Sequence, residues 1–202
     1  MAFRLLISGP KACFPRPEFR FARISYDVMT PVAAKGVLEA IHLKPSINWI
    51  VQRIRPLMPI RMTDVAAVSR REAKELGGLD HMNVDGRILV DVAYLIEARF
   101  ELTALARDDE TTAAHSAMFQ RRCKRGGYIP PFLGMPGFSS TIRLLERDEG
   151  LPISVGIPDE LDLGWMIYDV APVEGGTPRF FRAEIKNGVL DVPPAHSPDI
   201  RA

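Results

Sequence analysis

Apolar side chains recur at helical spacing between residues 31 and 42, and this pattern predicts a helix. Thr30 can cap the free amides at its start, and Pro31 suits the first helical position, where a missing N–H costs nothing. Pro45 forces the residue before it into extended backbone, so the helix should end near His42. The apolar face consists of Ala34, Val37, Leu38 and Ile41.

A second helix is predicted over residues 111–125. Three acids, Asp108, Asp109 and Glu110, precede it and are favourable at the positive end of a helix dipole. Basic side chains fill the last turns, and Gly126-Gly127 should end the helix. Helical spacing places three side chains of chemical interest on one face, namely His115, Phe119 and Arg122.

Three segments carry apolar patterns that favour strands: residues 3–8, 47–57 and 88–102. Gly9-Pro10 should end the first of them. Residues 62–87 are charged, contain two glycine turn signals and lack a clear period. We therefore predict a hairpin or a mobile excursion there.

The chain changes character after residue 126, where a glycine- and proline-rich loop is followed by short strands. Asn187-Gly188 signals a two-residue hairpin turn. The tail from His196 onward is expected to be loose. The short strands are predicted at residues 140–146, 163–170, 179–185 and 188–194.

The order strand, helix, strand, excursion, strand, helix is close to the split βαβ arrangement of ferredoxin-like folds. We therefore predict an α+β protein with a ferredoxin-like domain over residues 1–126. Residues 62–87 should protrude from that domain. A smaller β-rich domain is predicted over residues 127–202.

The bulk composition is that of an ordinary globular protein: 202 residues, 47% of them hydrophobic, with a mean hydropathy near zero. No apolar run approaches the roughly 18 residues that a membrane-spanning helix needs. The N-terminus has no pattern of an export signal, and the two cysteines lack metal-binding spacing. We expect a cytoplasmic protein with reduced thiols, no membrane contact, no metal and no cofactor.

The net charge of +1 hides an uneven distribution. The first 25 residues contain five basic side chains and one acid, Glu18, and residues 121–125 form a second basic run. Such patches fit a surface that binds a nucleic-acid backbone, although solvated faces are the alternative. Phe14, Phe19 and Phe21 alternate with arginines, where they could stack on bases or pack inward. The predicted RNA contacts are Lys11, Arg16, Arg20, Arg23, Lys44, Arg121 and Arg125.

The first fifty residues carry a resemblance to a known family. RISYDVMTP at residues 23–31, AAKGVLEAIHLKP at 33–45 and ACFPRPEF at 12–19 resemble the type I-C CRISPR-associated subunit of the RAMP (RRM-like) superfamily. In words, this is the Cas-five family, d subtype. Its N-terminal domain is ferredoxin-like, in agreement with the predicted element order.

The resemblance implies an activity and partners. Members process CRISPR repeat RNA by cutting at the base of its stem-loop without metal, which leaves a 2′,3′-cyclic phosphate. They then hold the 5′ handle of the crRNA beside the backbone and large subunits of the effector complex, Cascade. Residues 62–87 correspond to a thumb that contacts the handle.

Cleavage of this kind needs groups that move protons and a cation near the phosphate. Histidine is suited to proton transfer near neutral pH, and the chain has four. His81 lies in the excursion and His196 in the tail, so both are weak candidates. His115 and His42 remain, although His42 could simply interact with the carbonyls of its own helix end.

The family carries a catalytic Lys-His pair whose histidine matches His115. The lysine of that pair matches Ala114, so a cation must come from elsewhere. His42 falls where other members have tyrosine or histidine. Our first hypothesis is therefore that His115 is the general acid or base and His42 its partner. Arg122 and Lys124 would then stabilise the phosphorane, and Lys44 is a further source of charge.

Two other functions stay open. The chain could be a non-catalytic subunit that holds the crRNA handle in the same complex and has lost cleavage along with the lysine at position 114. It could also be a generic ferredoxin-like interaction module.

Overall fold

The computed structural model describes residues 2–19, 23–65, 86–170 and 176–202. Arg20, Phe21 and residues 66–85, which include His81 and most of the predicted thumb, lie outside these ranges. The described residues form strands and helices in mixed order, and this confirms the predicted α+β class. The elements are β1 Phe3–Ala12, α1 Pro31–Ile41, β2 Ile47–Pro56, β3 Met62–Val65, β4 Gly86–Leu102, α2 Thr112–Arg125, β5 Thr141–Leu144, β6 Glu160–Val170, β7 Pro178–Lys186 and β8 Val189–Asp191.

The strands form one antiparallel sheet in the order β5-β1-β4-β2-β8-β7-β6, and β3 pairs with the start of β4. The long strand β4 lies at the centre between β1 and β2. Chain segments after residue 126 join the sheet on both sides, because β5 pairs with β1 and β8 pairs with β2. The division into domains at residue 126 stays a prediction.

Both helices have the predicted ends. The Thr30 hydroxyl accepts a hydrogen bond from the Ala33 amide, and the C-cap of α1 is His42 in extended backbone. The Thr111 hydroxyl caps α2 in the same way, and the last turn ends at Gly126 with φ 79°. The capping signals in the sequence therefore fix where the two candidate histidines stand: one just after α1 and one in the first turn of α2.

An aromatic cluster packs α2 against the sheet beside His115. The Phe119 ring lies 4.9 Å from that of Phe3 and 4.8 Å from that of Trp49, measured between centroids. Phe100 contacts the same cluster and reaches the His115 ring edge-to-face at 6.1 Å. Phe119 is fully buried, so although it shares a helix face with His115 it cannot stack on a base.

Two local predictions were wrong. β1 continues through Gly9-Pro10, because β5 pairs only with residues 5–8 and leaves β1 with a single strand partner beyond them. Asp91, opposite Pro10 on β4, drops out of the register and adopts φ 51°. The tail is also not loose at its end: Arg201 exchanges two backbone hydrogen bonds with Phe180. The Asn187-Gly188 turn is confirmed, with φ of 52° and 70°.

Among the described residues, no helix has the length and apolar character needed to cross a membrane.

Candidate active site

The fold brings together His42 and His115, which lie 73 residues apart in the sequence. Nε2 of His42 is 3.0 Å from Nδ1 of His115, within hydrogen-bond distance. His42 is fully buried and His115 is 7% exposed. The pair lies where the end of α1 meets the first turn of α2, beside the aromatic cluster.

Arg122 closes one end of this pair. One terminal nitrogen of its guanidinium, Nη1, donates to the Ile41 carbonyl at 2.9 Å and lies 3.2 Å from Nδ1 of His42. This nitrogen carries two protons, one for each partner. A guanidinium can only donate, so Nδ1 of His42 must be the acceptor.

The acceptor role of that nitrogen fixes the protons on both rings. A neutral His42 that accepts at Nδ1 carries its proton on Nε2 and donates it to Nδ1 of His115. A neutral His115 that accepts at Nδ1 then carries its own proton on Nε2. The hydrogen bonds from Arg122 to His42 and from His42 to His115 therefore run in one direction, with each group donating to the next.

Glu110 stands at the other end of that chain. Its Oε1 lies 3.7 Å from Nε2 of His115, a nitrogen that is buried and has no hydrogen-bond partner among the described residues. The carboxylate accepts from the Ser46 hydroxyl at 3.1 Å and from the Arg107 amide at 3.1 Å. The Arg107 amide is the main reason that the pKa of Glu110 lies below its ordinary value, and the Ser46 hydroxyl adds to it. From the sequence we expected Glu110 only to stabilise the start of α2 through the helix dipole.

The pKa of His42 is lowered to about 4, first by burial and then by the charges of Arg122, His115 and Lys44. His42 is therefore neutral at pH 7, in agreement with an acceptor at Nδ1. Its backbone is held as well, because the Trp49 indole donates to the His42 carbonyl at 2.9 Å.

The remaining cations of the second basic run have different surroundings. Arg121 and Arg125 are exposed on the last two turns of α2, and Lys44 is exposed two residues after His42. The Lys124 ammonium instead forms an ion pair with Glu146 at 2.7 Å. Of the two cations expected to stabilise the phosphorane, Arg122 is therefore the one in contact with the histidines.

The N-terminal residues predicted to contact RNA are separate from the histidine pair. Lys11 is exposed near the end of β1. The Arg16 guanidinium lies 3.3 Å from Asp27 and 4.4 Å above the Tyr26 ring. Tyr26 is buried, and its hydroxyl accepts from the Ile167 amide, as expected for a core tyrosine. Arg23 is partly buried.

The aromatic residues of the first patch divide between the two alternatives. Phe14 packs in the core, whereas Phe19 is 47% exposed and is free to stack. The described ranges hold no group of three or more His, Cys, Asp or Glu side chains placed to bind one metal ion.

Comparisons with known proteins show which proteins this chain is similar to. A family model described as "CRISPR-associated protein (Cas_Cas5)" matches residues 3–193. A "CRISPR pre-crRNA endoribonuclease Cas5d" from Mannheimia succiniciproducens is 40% identical over 219 residues, covering 98% of this chain and 97% of the relative. A protein of the same name from Thermus thermophilus is 34% identical over 220 residues, covering 94% and 90%.

Two solved structures share the fold. One is a "CRISPR-associated Protein" with a TM-score of 0.79 and 24% identity. The other is a functionally uncharacterized protein from Streptococcus mutans with a TM-score of 0.75 and 22% identity. Each alignment covers 100% of this chain and 97% of the other.

Proposed function

Because the chain belongs to the Cas5d family of CRISPR-associated proteins, we propose that it cleaves precursor CRISPR RNA with its buried histidine pair. Both curated relatives carry the name of a pre-crRNA endoribonuclease. The single observation that carries the proposal is the 3.0 Å contact between His42 and His115, with a guanidinium at one end. Such an arrangement can move a proton and neutralise a phosphate without a metal.

Charge indicates which end of the pair faces RNA. Arg121, Arg122 and Arg125 occupy the last turns of α2, and Lys44 lies close enough to lower the pKa of His42. The acids at residues 108–110 stand at the opposite end of this helix, which is roughly 20 Å long at 1.5 Å per residue. A polyanion is drawn to the basic end, and therefore to Nδ1 of His42.

In the proposed reaction Arg122 transfers its hydrogen bond from His42 to a phosphate oxygen. This removes a cation from His42 and brings an anion close, so the pKa of His42 rises from about 4 and Nδ1 becomes a competent base. Nδ1 takes the proton of the 2′-OH, the 2′-oxygen bonds to phosphorus, and the P–O5′ bond breaks. The 5′-oxygen takes a proton from water, and the hydroxide that remains takes the proton from Nδ1 of His42. The products are a 2′,3′-cyclic phosphate, a 5′-hydroxyl and neutral His42.

This assignment exchanges the roles expected from the sequence, where His115 transferred the proton and His42 assisted. The reason is geometric: Nδ1 of His115 is engaged by His42, and Nε2 of His115 faces a carboxylate. In the proposal His115 therefore does not contact the RNA itself and acts through its hydrogen bond to His42.

The wider family role is part of the proposal. The product remains bound through its 5′ handle, and the protein joins the backbone and large subunits of Cascade in the cytoplasm. Exposed Lys11, Lys44, Arg121 and Arg125 support a surface for the RNA backbone. The ferredoxin-like assignment is supported by the strand order β5-β1-β4-β2, with α1 and α2 as the connections.

A second function has specific support as well. His42 is fully buried and His115 nearly so, and the chain has Ala114 where the resemblance implies a lysine. These observations favour a subunit that holds the crRNA handle without cutting it. In such a protein the histidine pair would join α1 to α2 and have no chemical role.

A cleavage assay separates the two functions. End-labelled cognate repeat RNA is incubated in EDTA with the wild type, His42→Ala, His115→Ala and the control His196→Ala, whose side chain is exposed in the tail. We expect one cut with a 2′,3′-cyclic end. The rate should fall by about 100-fold or more in the first two variants and stay unchanged in the control. RNA affinity should be retained in all of them.

Two outcomes would contradict the proposal. Equal rates in all four proteins would remove the histidine pair from the chemistry. Tight binding of RNA without any cut by the wild type would instead establish the non-catalytic subunit.

A further inference from the structure

The row of side chains Arg122, His42, His115 and Glu110 has a cation at one end and a carboxylate at the other. Arg122 stands at the end of His42, and the Glu110 carboxylate stands 3.7 Å from Nε2 of His115. We propose that Glu110 is a positioning residue that acts through His115 on the proton-accepting nitrogen of His42. This inference rests on the proposed function, since it assigns a part of the same reaction.

Two independent arguments place the same proton on His115. Arg122 can only donate, and following its hydrogen bond through both rings puts a proton on Nε2 of His115. That nitrogen faces Glu110, which as a carboxylate can only accept. The cation and the anion thus favour the same tautomers from opposite ends, and both leave Nδ1 of His42 unprotonated.

Glu110 is held in place for this role. The Ser46 hydroxyl bonds to Oε1 and the Arg107 amide to Oε2, so the carboxylate has little freedom to rotate. The lowered pKa of Glu110 keeps it ionised at neutral pH. Ser46 itself is buried and precedes β2, which connects the carboxylate to the sheet.

The neighbouring acid provides a contrast. The side chain of Asp109 is 78% exposed and lies 3.5 Å from the Arg107 guanidinium, whereas the Glu110 side chain is 19% exposed. Both acids precede the start of α2. Only Glu110 points inward to an imidazole nitrogen that is otherwise without a partner in the described residues.

The consequence for the reaction concerns the protonated state of His42. When Nδ1 accepts the 2′-OH proton, His42 becomes a cation that donates from Nε2 to His115. The carboxylate behind His115 stabilises that positive charge and keeps Nδ1 of His115 in the accepting form. Carboxylates that orient metal-bound histidines contribute roughly 10- to 100-fold, and we expect an effect at the lower end of that range here.

The test compares Glu110→Gln, which keeps the size and an acceptor oxygen, with the matched control Asp109→Asn. Nitrogen NMR of the RNA-free proteins reports the protonated nitrogen of each ring. We expect an Nε2–H signal of His115 in the wild type that is displaced in Glu110→Gln and unchanged in Asp109→Asn. In cleavage, kcat should fall about tenfold in Glu110→Gln, with KM unchanged.

An unchanged His115 spectrum in Glu110→Gln would overturn the proposal, even if the rate fell, because Glu110 would then act other than through His115. A rise in KM with kcat unchanged would overturn it too. The NMR comparison needs no RNA and no activity. It therefore decides the role of Glu110 even if the wild type proves unable to cleave.

Discussion

Nη1 of Arg122 lies 3.2 Å from Nδ1 of His42, and the same nitrogen donates to the Ile41 carbonyl at 2.9 Å. The end of α1 is therefore capped by a side chain of α2 that also decides which nitrogen of His42 is free of a proton. A single guanidinium links the packing of the two helices to the chemistry of the site.

The first prediction removes that guanidinium. In Arg122→Met the pKa of His42 should rise from about 4 but remain below 6.5, because burial is the largest cause of the shift and is retained. The measurement is an NMR titration of the His42 ring. Arg121→Met is the control, since Arg121 is exposed and contacts Met118 rather than the histidines. An unchanged His42 titration in Arg122→Met would mean that the guanidinium does not act on His42.

The second prediction concerns stability against pH. In the folded protein the pKa of His42 is about 4, below its ordinary 6.5, so the unfolded chain binds the extra proton between these values. Stability must then fall as the pH drops through that window. The proton uptake of His42 alone should lower the free energy of unfolding by about 2 kcal/mol between pH 7 and pH 5.

Urea unfolding at pH 7 and pH 5 measures this loss. The difference between the two pH values should shrink in His42→Asn and persist in His196→Asn. A difference of the same size in wild type and His42→Asn would assign the loss to other groups.

The third prediction uses two glycines of one loop. Gly134 and Gly137 have nearly the same φ, 91° and 92°, but a Cβ on Gly134 would stand 1.9 Å from the Cys13 carbonyl oxygen, and one on Gly137 would meet nothing within 4 Å. Gly137→Ala should therefore lose only the strain of a left-handed residue, about 1 kcal/mol.

Gly134→Ala should lose about 3 kcal/mol or more, because the backbone of the loop must also move away from β1. Urea unfolding of both variants isolates the steric term, since the strain is common to them. Equal losses would show that the loop can shift from Cys13 without cost.

Local signals in the sequence predicted the elements well because the forces behind them are local. Thr30 and Thr111 satisfy amides three residues away, and Asn187-Gly188 adopts the positive φ angles that only a few residue types favour. The prediction that Gly9-Pro10 ends β1 was wrong because its outcome is not decided locally. Whether a proline breaks a strand depends on whether another strand lies beside it, and here that strand is β5, more than 130 residues further along the chain.

The contacts of the candidate site are long-range, and for this reason only part of them could be predicted from the sequence. The resemblance pointed to His115 and His42, but nothing in the spacing placed Arg122 on Nδ1 of His42 or Glu110 beside His115. Both contacts depend on how α1 and α2 pack over the sheet. The proton positions follow from those contacts and could not be assigned before them.

The last prediction introduces the lysine that the resemblance implies at position 114. Ala114 is exposed in the first turn of α2, directly before His115, so Ala114→Lys places an ammonium there without displacing packed atoms. If the protein cleaves RNA as proposed, a further cation next to the histidine pair should raise the single-turnover rate by about tenfold or more.

Ala113→Lys is the matched control, because it adds the same charge at an exposed site one position earlier. Helical geometry places residue 113 on the side of α2 that faces away from His115. General attraction of RNA by a further lysine would raise affinity equally in both variants, whereas a part in the chemistry raises the rate only in Ala114→Lys. A rate gain in neither variant, in a protein that already cuts, would mean that Arg122 alone supplies the cation that the reaction needs. A gain from no detectable cleavage to a discrete cut in Ala114→Lys would mean that the natural chain holds crRNA with a site one side chain short of activity.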